Sequence, residues 1–171
     1  MPSSPSGYSG RCACGAITLT FWASVPAHEL PVRACSCSFC SRHRARCVTD
    51  PNGRVELSGS TDMLTRYRFG LNTADFLVCR GCGVYLGAVF EEGGATFATL
   101  NIANLEARAS FGPAQPVDYG AETAEERRAR RRARWTPATI VTHDSNATQR
   151  SGTDAEGVPS GGPVSDHESA V

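Results

Sequence analysis

The spacing of the cysteines constrains this chain more than any other feature. The stretch "CSCSFC" places three cysteines within six positions, at Cys35, Cys37 and Cys40. The other five cysteines of the chain are Cys12, Cys14, Cys47, Cys79 and Cys82. Zinc takes four protein ligands in a structural site and typically three in a catalytic site. The fold and the function therefore depend on which cysteines share a metal ion.

Two separated cysteine pairs predict one closed structural zinc site. Cys79-Arg-Gly-Cys82-Gly has the form of a zinc knuckle, a tight turn that glycine accommodates because it adopts a positive φ readily. Cys12 and Cys14 stand two positions apart, so on an extended strand both thiols face the same side. Two plus two ligands complete a tetrahedral site. This site would join residues 12–14 to residues 79–82 across 64 intervening residues.

The triplet Cys35, Cys37 and Cys40 has two interpretations from its spacing. It could hold a zinc ion with an open fourth position, which is the arrangement of catalytic zinc. Alternatively, Cys47 could supply a fourth ligand and close a second structural site. A disulfide framework is a third alternative for the eight cysteines, and it is disfavoured because we expect a reducing compartment.

That compartment is inferred from the absence of targeting patterns. The first residues, "MPSSPSGYSG", contain neither the basic start nor the apolar stretch of a signal peptide. No window approaches the roughly 18 apolar residues of a membrane span. We therefore expect a soluble, cytoplasmic protein with no membrane partner. The chain contains no lysine, which excludes a lysine Schiff base and a P-loop lysine.

The hydrophobic pattern of the body predicts a mainly β fold. Residues 1–9 are rich in Ser, Pro and Gly and are expected to be disordered, and residues 10–119 form the zinc-binding domain. In "AITLTFWA", Ile17, Leu19 and Phe21 alternate with more polar positions, which is typical of a half-buried strand. Further strand candidates are "RVELSG", "LTRYRFG", "DFLVC", "VYLGAVF" and "ATFATLNIANL".

The segment after the body predicts an arginine-rich helix within residues 120–135. Thr123 and Glu126 match a capping box, and acidic residues precede arginines along the segment. We expect the helix at 121–135, with its arginines in solvent. Its "RRARRRAR" run lacks interleaved aromatic residues, so nucleic acid is an unlikely partner. Residues 136–171 lose apolar content and are expected to be a disordered tail.

Several motifs together resemble the glutathione-dependent formaldehyde-activating enzyme family, whose domain also occurs in centromere protein V. The motifs are "GRCACGAITL", "CSCSFCSRHRA", "YRFG" and "VCRGCGVYLG", and the resemblance covers residues 8–112. It implies a β-tent zinc fold built from small antiparallel sheets. It also implies two zinc ions per chain, with glutathione as a co-substrate.

The resemblance further implies roles for particular cysteines. The pairs Cys12/Cys14 and Cys79/Cys82 match ligands of the family's structural zinc. The triplet Cys35, Cys37 and Cys40 matches the second zinc site, which would be catalytic. The family pattern has no cysteine at the place of Cys47, which favours the open site.

Four basic residues follow the triplet and could bind the two carboxylates of glutathione. They are Arg42, His43, Arg44 and Arg46. The favoured alternative is a solvated basic loop, because runs of charge usually face water. His43 is a weak candidate for a general base, supported only by its position. His28, His143 and His167 have no partner pattern.

The favoured function is an enzyme of the carbon–sulfur lyase type, similar to S-(hydroxymethyl)glutathione synthase. It would condense or cleave a small thiol and formaldehyde or another small aldehyde. The alternative is a non-catalytic binding module in which zinc only stabilises the fold and the arginine-rich helix is the working surface. A thiol redox sensor built on the triplet and Cys47 is a third hypothesis.

Overall fold

The computed structural model describes residues 6–144 of the 171-residue chain. This part contains eleven strands and two α-helices. The strands are β1 (Ser6–Arg11), β2 (Ile17–Ala23), β3 (Arg33–Cys35), β4 (Cys47–Val48), β5 (Arg54–Ser60), β6 (Leu64–Tyr67), β7 (Asp75–Cys79), β8 (Tyr85–Glu92), β9 (Ala95–Asn101), β10 (Gln115–Val117) and β11 (Thr136–His143). The helices are α1 (Ser38–Arg42) and α2 (Ala124–Arg134), and short 3-10 turns span Ala27–Glu29, Thr61–Met63, Ile102–Asn104 and Arg108–Ser110.

The prediction of a mainly β fold with one helix near the C-terminal end is confirmed. One group of strands runs in the order β1-β2-β5-β11, and a second runs β6-β7-β8-β9, continuing from β9 through β4 and β3 to β10. Most neighbours are antiparallel, but β3 with β10 and β5 with β11 are parallel. Strand β11 also pairs with β9 at its first two residues, and so it joins the two groups.

Strand β2 shows why the sequence forms these elements. Ile17, Leu19 and Phe21 are buried, while Thr18 is exposed and Trp22 is half-buried. The alternation matches the two faces of a strand, so one face packs into the core and the other does not. Buried side chains from β5, β8 and β9 complete that core.

Two boundaries of the disordered regions are corrected by the structure. Residues 6–9, expected in a disordered N-terminus, form β1 because all six residues of Ser6–Arg11 pair with β2. Residues 136–143, expected in a disordered tail, form β11 because they pair with β5 and β9. The remaining residues of those two predictions, 1–5 and 145–171, lie outside the described residues.

Helix α2 begins at the predicted cap. The Thr123 hydroxyl accepts a hydrogen bond from the Glu126 backbone amide, and the Glu126 carboxylate accepts one from the Thr123 amide. The helix ends one residue before Trp135, which is buried together with Ala74, Ala88 and Phe90. This packing holds α2 against the body, at the side where β7 and β8 lie. Within residues 6–144, neither helix has the length and apolar character needed to cross a bilayer.

Candidate metal centres and the adjoining cavity

The first cysteine cluster combines residues from both ends of the body. Cys12 follows β1, Cys14 lies in the turn before β2, Cys79 ends β7, and Cys82 lies in the turn before β8. All four Sγ atoms lie within 4.8 Å of one another. The Cys14 sulfur is 3.5 Å from that of Cys12 and 3.6 Å from that of Cys79. Four convergent thiols are the ligand set of a structural zinc site.

Backbone geometry in the two turns holds these sulfurs in place. The Ile17 amide donates a hydrogen bond to the Cys12 sulfur at 3.3 Å, and the Gly83 amide donates to the Cys79 carbonyl at 2.8 Å. Gly83 has a φ of 72°, in the left-handed region that favours glycine. At Gly81 an added Cβ would lie 2.6 Å from Cε of Met63. The knuckle therefore requires the glycine at position 83, whereas a side chain at position 81 would have to displace the flexible end of Met63 and would approach the Cys14 sulfur at 3.3 Å.

The second cluster is formed by the triplet. Cys35 ends β3, Cys37 is the N-cap residue of α1, and Cys40 lies inside that helix. The three sulfurs lie within 4.8 Å of one another. The Cys40 amide donates a hydrogen bond to the Cys37 sulfur at 3.4 Å, so the first turn of α1 fixes the spacing of the thiols. Helix α1 was not predicted, although a cap residue followed by one turn explains the C-x-x-C spacing.

Cys47 lies apart from this cluster. It belongs to β4, it is 7% exposed, and its sulfur is not within the group of sulfurs that lie within 4.8 Å of one another. Burial raises the pKa of the Cys47 thiol to about 12, with a further contribution from the neighbouring Cys35. Burial thus favours the neutral form of the Cys47 thiol. This geometry favours an open three-cysteine site.

A cavity of about 430 Å³ adjoins the triplet. Cys35, Cys37 and Cys40 all line it, and so do the aromatic side chains of Phe69, Phe76 and Tyr85. Its volume falls within the usual range of small-molecule sites, which are concave and mostly apolar with a few polar groups. The triplet thus borders a space that a small ligand could occupy.

Arginines line much of the cavity. Four come from helix α2 and one from β3: Arg127, Arg130, Arg131, Arg134 and Arg33. Only one carboxylate, that of Asp118, lines it among the described residues. Desolvation lowers the pKa of Arg33, and its guanidinium donates a hydrogen bond to the Thr49 hydroxyl at 2.7 Å. The cavity therefore combines a thiol cluster with a strongly cationic wall.

The expectation that the arginines of α2 lie in solvent was wrong for the face towards the body. The side chains of Arg127 and Arg130 are only 20% and 16% exposed, and Arg131 is 6% exposed. The cause is tertiary packing, because Trp135 and Arg131 anchor this face against the body. Charge composition alone does not report which face of a helix is covered.

The basic residues after the triplet do not line the cavity. Arg42 and Arg44 are exposed, as expected for a solvated loop, and Arg46 donates a hydrogen bond to the Gly112 carbonyl at 3.3 Å. The His43 ring lies against the Phe39 ring, with a centroid distance of 4.3 Å. These residues therefore have no contact with the cavity that would bind a substrate carboxylate.

The remaining histidines are also distant from any candidate site. His28 lies in an exposed 3-10 turn and His143 is exposed at the end of β11. His167 lies outside the described residues. The structure brings together the seven cysteines predicted as ligands, in two groups. The residues that sequence reasoning missed are the cavity arginines and aromatic residues, which become neighbours only through the fold.

Comparison with known proteins gives two similarities. A family model described as glutathione-dependent formaldehyde-activating enzyme matches residues 7–119, which is more than half of the chain. A crystal structure of a Rhodobacter sphaeroides protein is 28% identical in sequence. That alignment covers 64% of this chain and 99% of the other, with a TM-score of 0.48.

Proposed function

The chain belongs to the glutathione-dependent formaldehyde-activating enzyme family, and from this membership we propose that it joins glutathione or another small thiol to formaldehyde or another small aldehyde. In the forward direction a sulfur–carbon bond forms between the thiol and the carbonyl carbon. The thiol proton ends on the former carbonyl oxygen, which gives an S-hydroxymethyl thioether. The reverse reaction breaks the same bond, which is carbon–sulfur lyase chemistry. One observation carries the proposal: the three-cysteine cluster lies in the wall of a ligand-sized cavity.

Both cysteine clusters suit zinc by their donor chemistry. Cys12, Cys14, Cys79 and Cys82 would hold a structural ion, and the triplet would hold a second, catalytic ion. Bound at the triplet, zinc would supply Lewis acidity and lower the pKa of a thiol or water. On this proposal, the four-cysteine site would serve stability and the three-cysteine site would serve chemistry.

The surroundings of the triplet favour binding of a small organic substrate. Tyr85 is buried, and its ring packs against Phe39 at 4.9 Å and Phe76 at 5.9 Å between centroids. These rings restrict water on one side of the triplet and orient α1, which carries Cys40. Exclusion of water matters because water competes with the thiol for the carbonyl and weakens electrostatic interactions in the site.

The proposal is tested by the rate of exchange between glutathione and its hydroxymethyl adduct. NMR exchange spectroscopy measures this rate above the spontaneous reaction, with purified protein and formaldehyde. Wild-type protein should accelerate exchange, and Cys37→Ser should abolish the acceleration while the protein remains folded. Cys47→Ser is the matched variant, and it should retain the acceleration because Cys47 lies outside the cluster.

Two results would contradict the proposal. One is wild-type protein, loaded with zinc, that gives no acceleration with glutathione or with smaller thiols. The other is acceleration that survives Cys37→Ser, since the triplet would then not be the reacting site. Loss of activity in Cys47→Ser, together with loss of one metal ion, would show that the second site is closed.

The alternative of a binding module on the arginine-rich helix has less support. Its working surface would be limited to exposed arginines such as Arg132, which already pairs with Glu92, because the face of α2 that carries Arg127, Arg130 and Arg131 is covered by the body. The covered arginines point to a role at the cavity.

A further inference from the structure

We propose that the arginines of helix α2 form a carboxylate-binding subsite that selects thiol substrates bearing carboxylate groups. This inference rests on the proposed function, because it assigns the substrate class of the same cavity. The thiol end of the substrate would lie at the triplet, and a carboxylate would lie against Arg131 and Arg127. Both ends are provided by one cavity, which the triplet and α2 line together.

Arg131 is a buried cation with incomplete pairing. It is 6% exposed, and one terminal nitrogen, Nη1, donates to the Thr73 carbonyl at 2.6 Å and the Thr73 hydroxyl at 2.7 Å. Its Nε is buried without a hydrogen-bond partner, and within residues 6–144 no carboxylate lies within 4.0 Å of its guanidinium. Burial of an unpaired charge is costly, so such a group is normally paired or bound to a ligand.

The charge of Arg131 persists at neutral pH. Burial, together with the nearby Arg130 and Arg127, lowers its pKa to about 10. Its guanidinium lies 4.9 Å from the centre of the Trp135 ring, which orients the plane of the group without neutralising it. A carboxylate bound in the cavity would supply the missing negative charge. Its oxygens could accept hydrogen bonds from those N–H groups of Arg131 that have no partner.

The neighbouring arginines differ in how fully they are paired. Arg130 donates two hydrogen bonds to Glu122, at 2.7 and 2.9 Å, and stacks on Tyr119. Its positive charge is therefore already balanced by a carboxylate. Arg127 donates to the Tyr119 carbonyl at 2.5 Å, and its Nε, which makes no hydrogen bond, forms a longer ion pair with the same Glu122 carboxylate at 3.6 Å. Arg131 is therefore left without a carboxylate partner among the described residues, and Arg127 lines the same cavity.

The balance of charge in the cavity points the same way. Five arginines line it, against the single carboxylate of Asp118 among the described lining residues, and Glu122 pairs with two of them, Arg127 and Arg130. Three zinc-bound thiolates would contribute a net charge of about −1 with their ion, which does not offset the three remaining arginines, Arg33, Arg131 and Arg134. An anionic ligand would lower the repulsion among the arginines and gain charge-assisted hydrogen bonds.

This subsite lies outside the part of the chain that matches the family. The match ends at residue 119, whereas α2 spans Ala124–Arg134 and β11 follows it along the chain. The arginines of α2 are thus an addition to the matched domain, whereas Arg33 lies within it. We infer that the added segment sets which thiol the shared metal site accepts.

The test uses S-methylglutathione as the probe, since it keeps both carboxylates but has no free thiol to react. Isothermal calorimetry measures its binding to zinc-loaded, full-length protein at fixed salt, beside its dimethyl ester. We expect the acid to bind at least tenfold more tightly than the ester. Arg131→Gln should weaken binding of the acid at least tenfold, which corresponds to about 1.4 kcal/mol, and should leave ester binding unchanged.

Matched variants keep the result interpretable. Arg128→Gln changes the same helix outside the cavity lining and should leave acid binding unchanged. Arg127→Gln is the second test variant, should Arg131→Gln fail to fold by circular dichroism. Equal binding of acid and ester, no binding of either at millimolar concentration, or acid binding that survives both variants would overturn the subsite.

Different results would refute the carboxylate subsite and the proposed reaction. Arginine-dependent binding of the acid without any thiol–aldehyde exchange would retain the subsite and refute the reaction. Exchange with glutathione that is matched by cysteamine, a thiol without a carboxylate, and is unaffected by Arg131→Gln would retain the reaction and refute the subsite.

Discussion

The four-cysteine cluster should stabilise the fold more than the triplet does, because it closes a much longer loop. The proposed perturbations are the paired variants Cys79→Ser/Cys82→Ser and Cys35→Ser/Cys37→Ser. Each removes two ligands and therefore abolishes one site. Comparing two doubly substituted proteins controls for the loss of two thiols.

The size of this difference in stability follows from the number of residues between the ligands of each site. The first cluster closes a loop of 64 residues between Cys14 and Cys79. The entropy relation for cross-linked chains assigns a closure of that length about 4 kcal/mol, and about 2 kcal/mol to one the length of the triplet. Loss of the first cluster should therefore lower the free energy of unfolding by about 2 kcal/mol more than loss of the triplet.

Urea unfolding at fixed free zinc measures the difference through tryptophan fluorescence, which Trp22 and Trp135 provide. With a typical urea dependence of about 2 kcal/mol per molar, loss of the first cluster should lower the midpoint by about 2 M. The urea midpoint of the Cys35→Ser/Cys37→Ser variant should fall by about half as much. Equal losses, or a larger loss in the triplet variant, would refute the assignment of structural and catalytic roles.

Two further predictions concern the elements that position the sites. Gly10→Ala should lower the melting temperature sharply, at a cost of about 2 kcal/mol, because the added Cβ would lie 2.3 Å from the Asn104 carbonyl oxygen. Gly7→Ala is its control in β1, since there the nearest atoms are 3.5 Å away, and an equal loss would contradict the packing described. Thr123→Ala should remove the capping box of α2 at a cost of about 1 kcal/mol. Amide hydrogen exchange in the first turn of α2 should then accelerate, and unchanged protection would refute a role for the cap.

Local patterns were sufficient to predict part of the fold and which cysteines converge into two groups. The alternation in Ile17–Ala23 predicted β2, and the Thr123/Glu126 pair predicted the start of α2. The C-x-C and C-x-x-C pairs were grouped correctly because short spacings restrict where two sulfurs can point. These features depend on contacts within a few residues, which a sequence displays directly.

The remaining features depend on contacts between distant segments. The composition of Ser6–Arg11 indicates disorder, yet pairing with β2 makes it a strand. The arginines of α2 look like a solvated run until Trp135 and Arg131 are placed against the body. The cavity joins β3, α1, β8 and α2. No local pattern reports that these segments meet, so the cationic wall was missed.

We expect the triplet to hold a second zinc ion, independent of the four-cysteine cluster. The direct measurement is zinc per chain, by elemental analysis of wild-type protein and Cys35→Ser/Cys37→Ser purified without chelator. We expect two zinc ions in the wild type and one in the variant. One zinc ion in both proteins would contradict it, because the CSCSFC cluster would then not be a stable metal site.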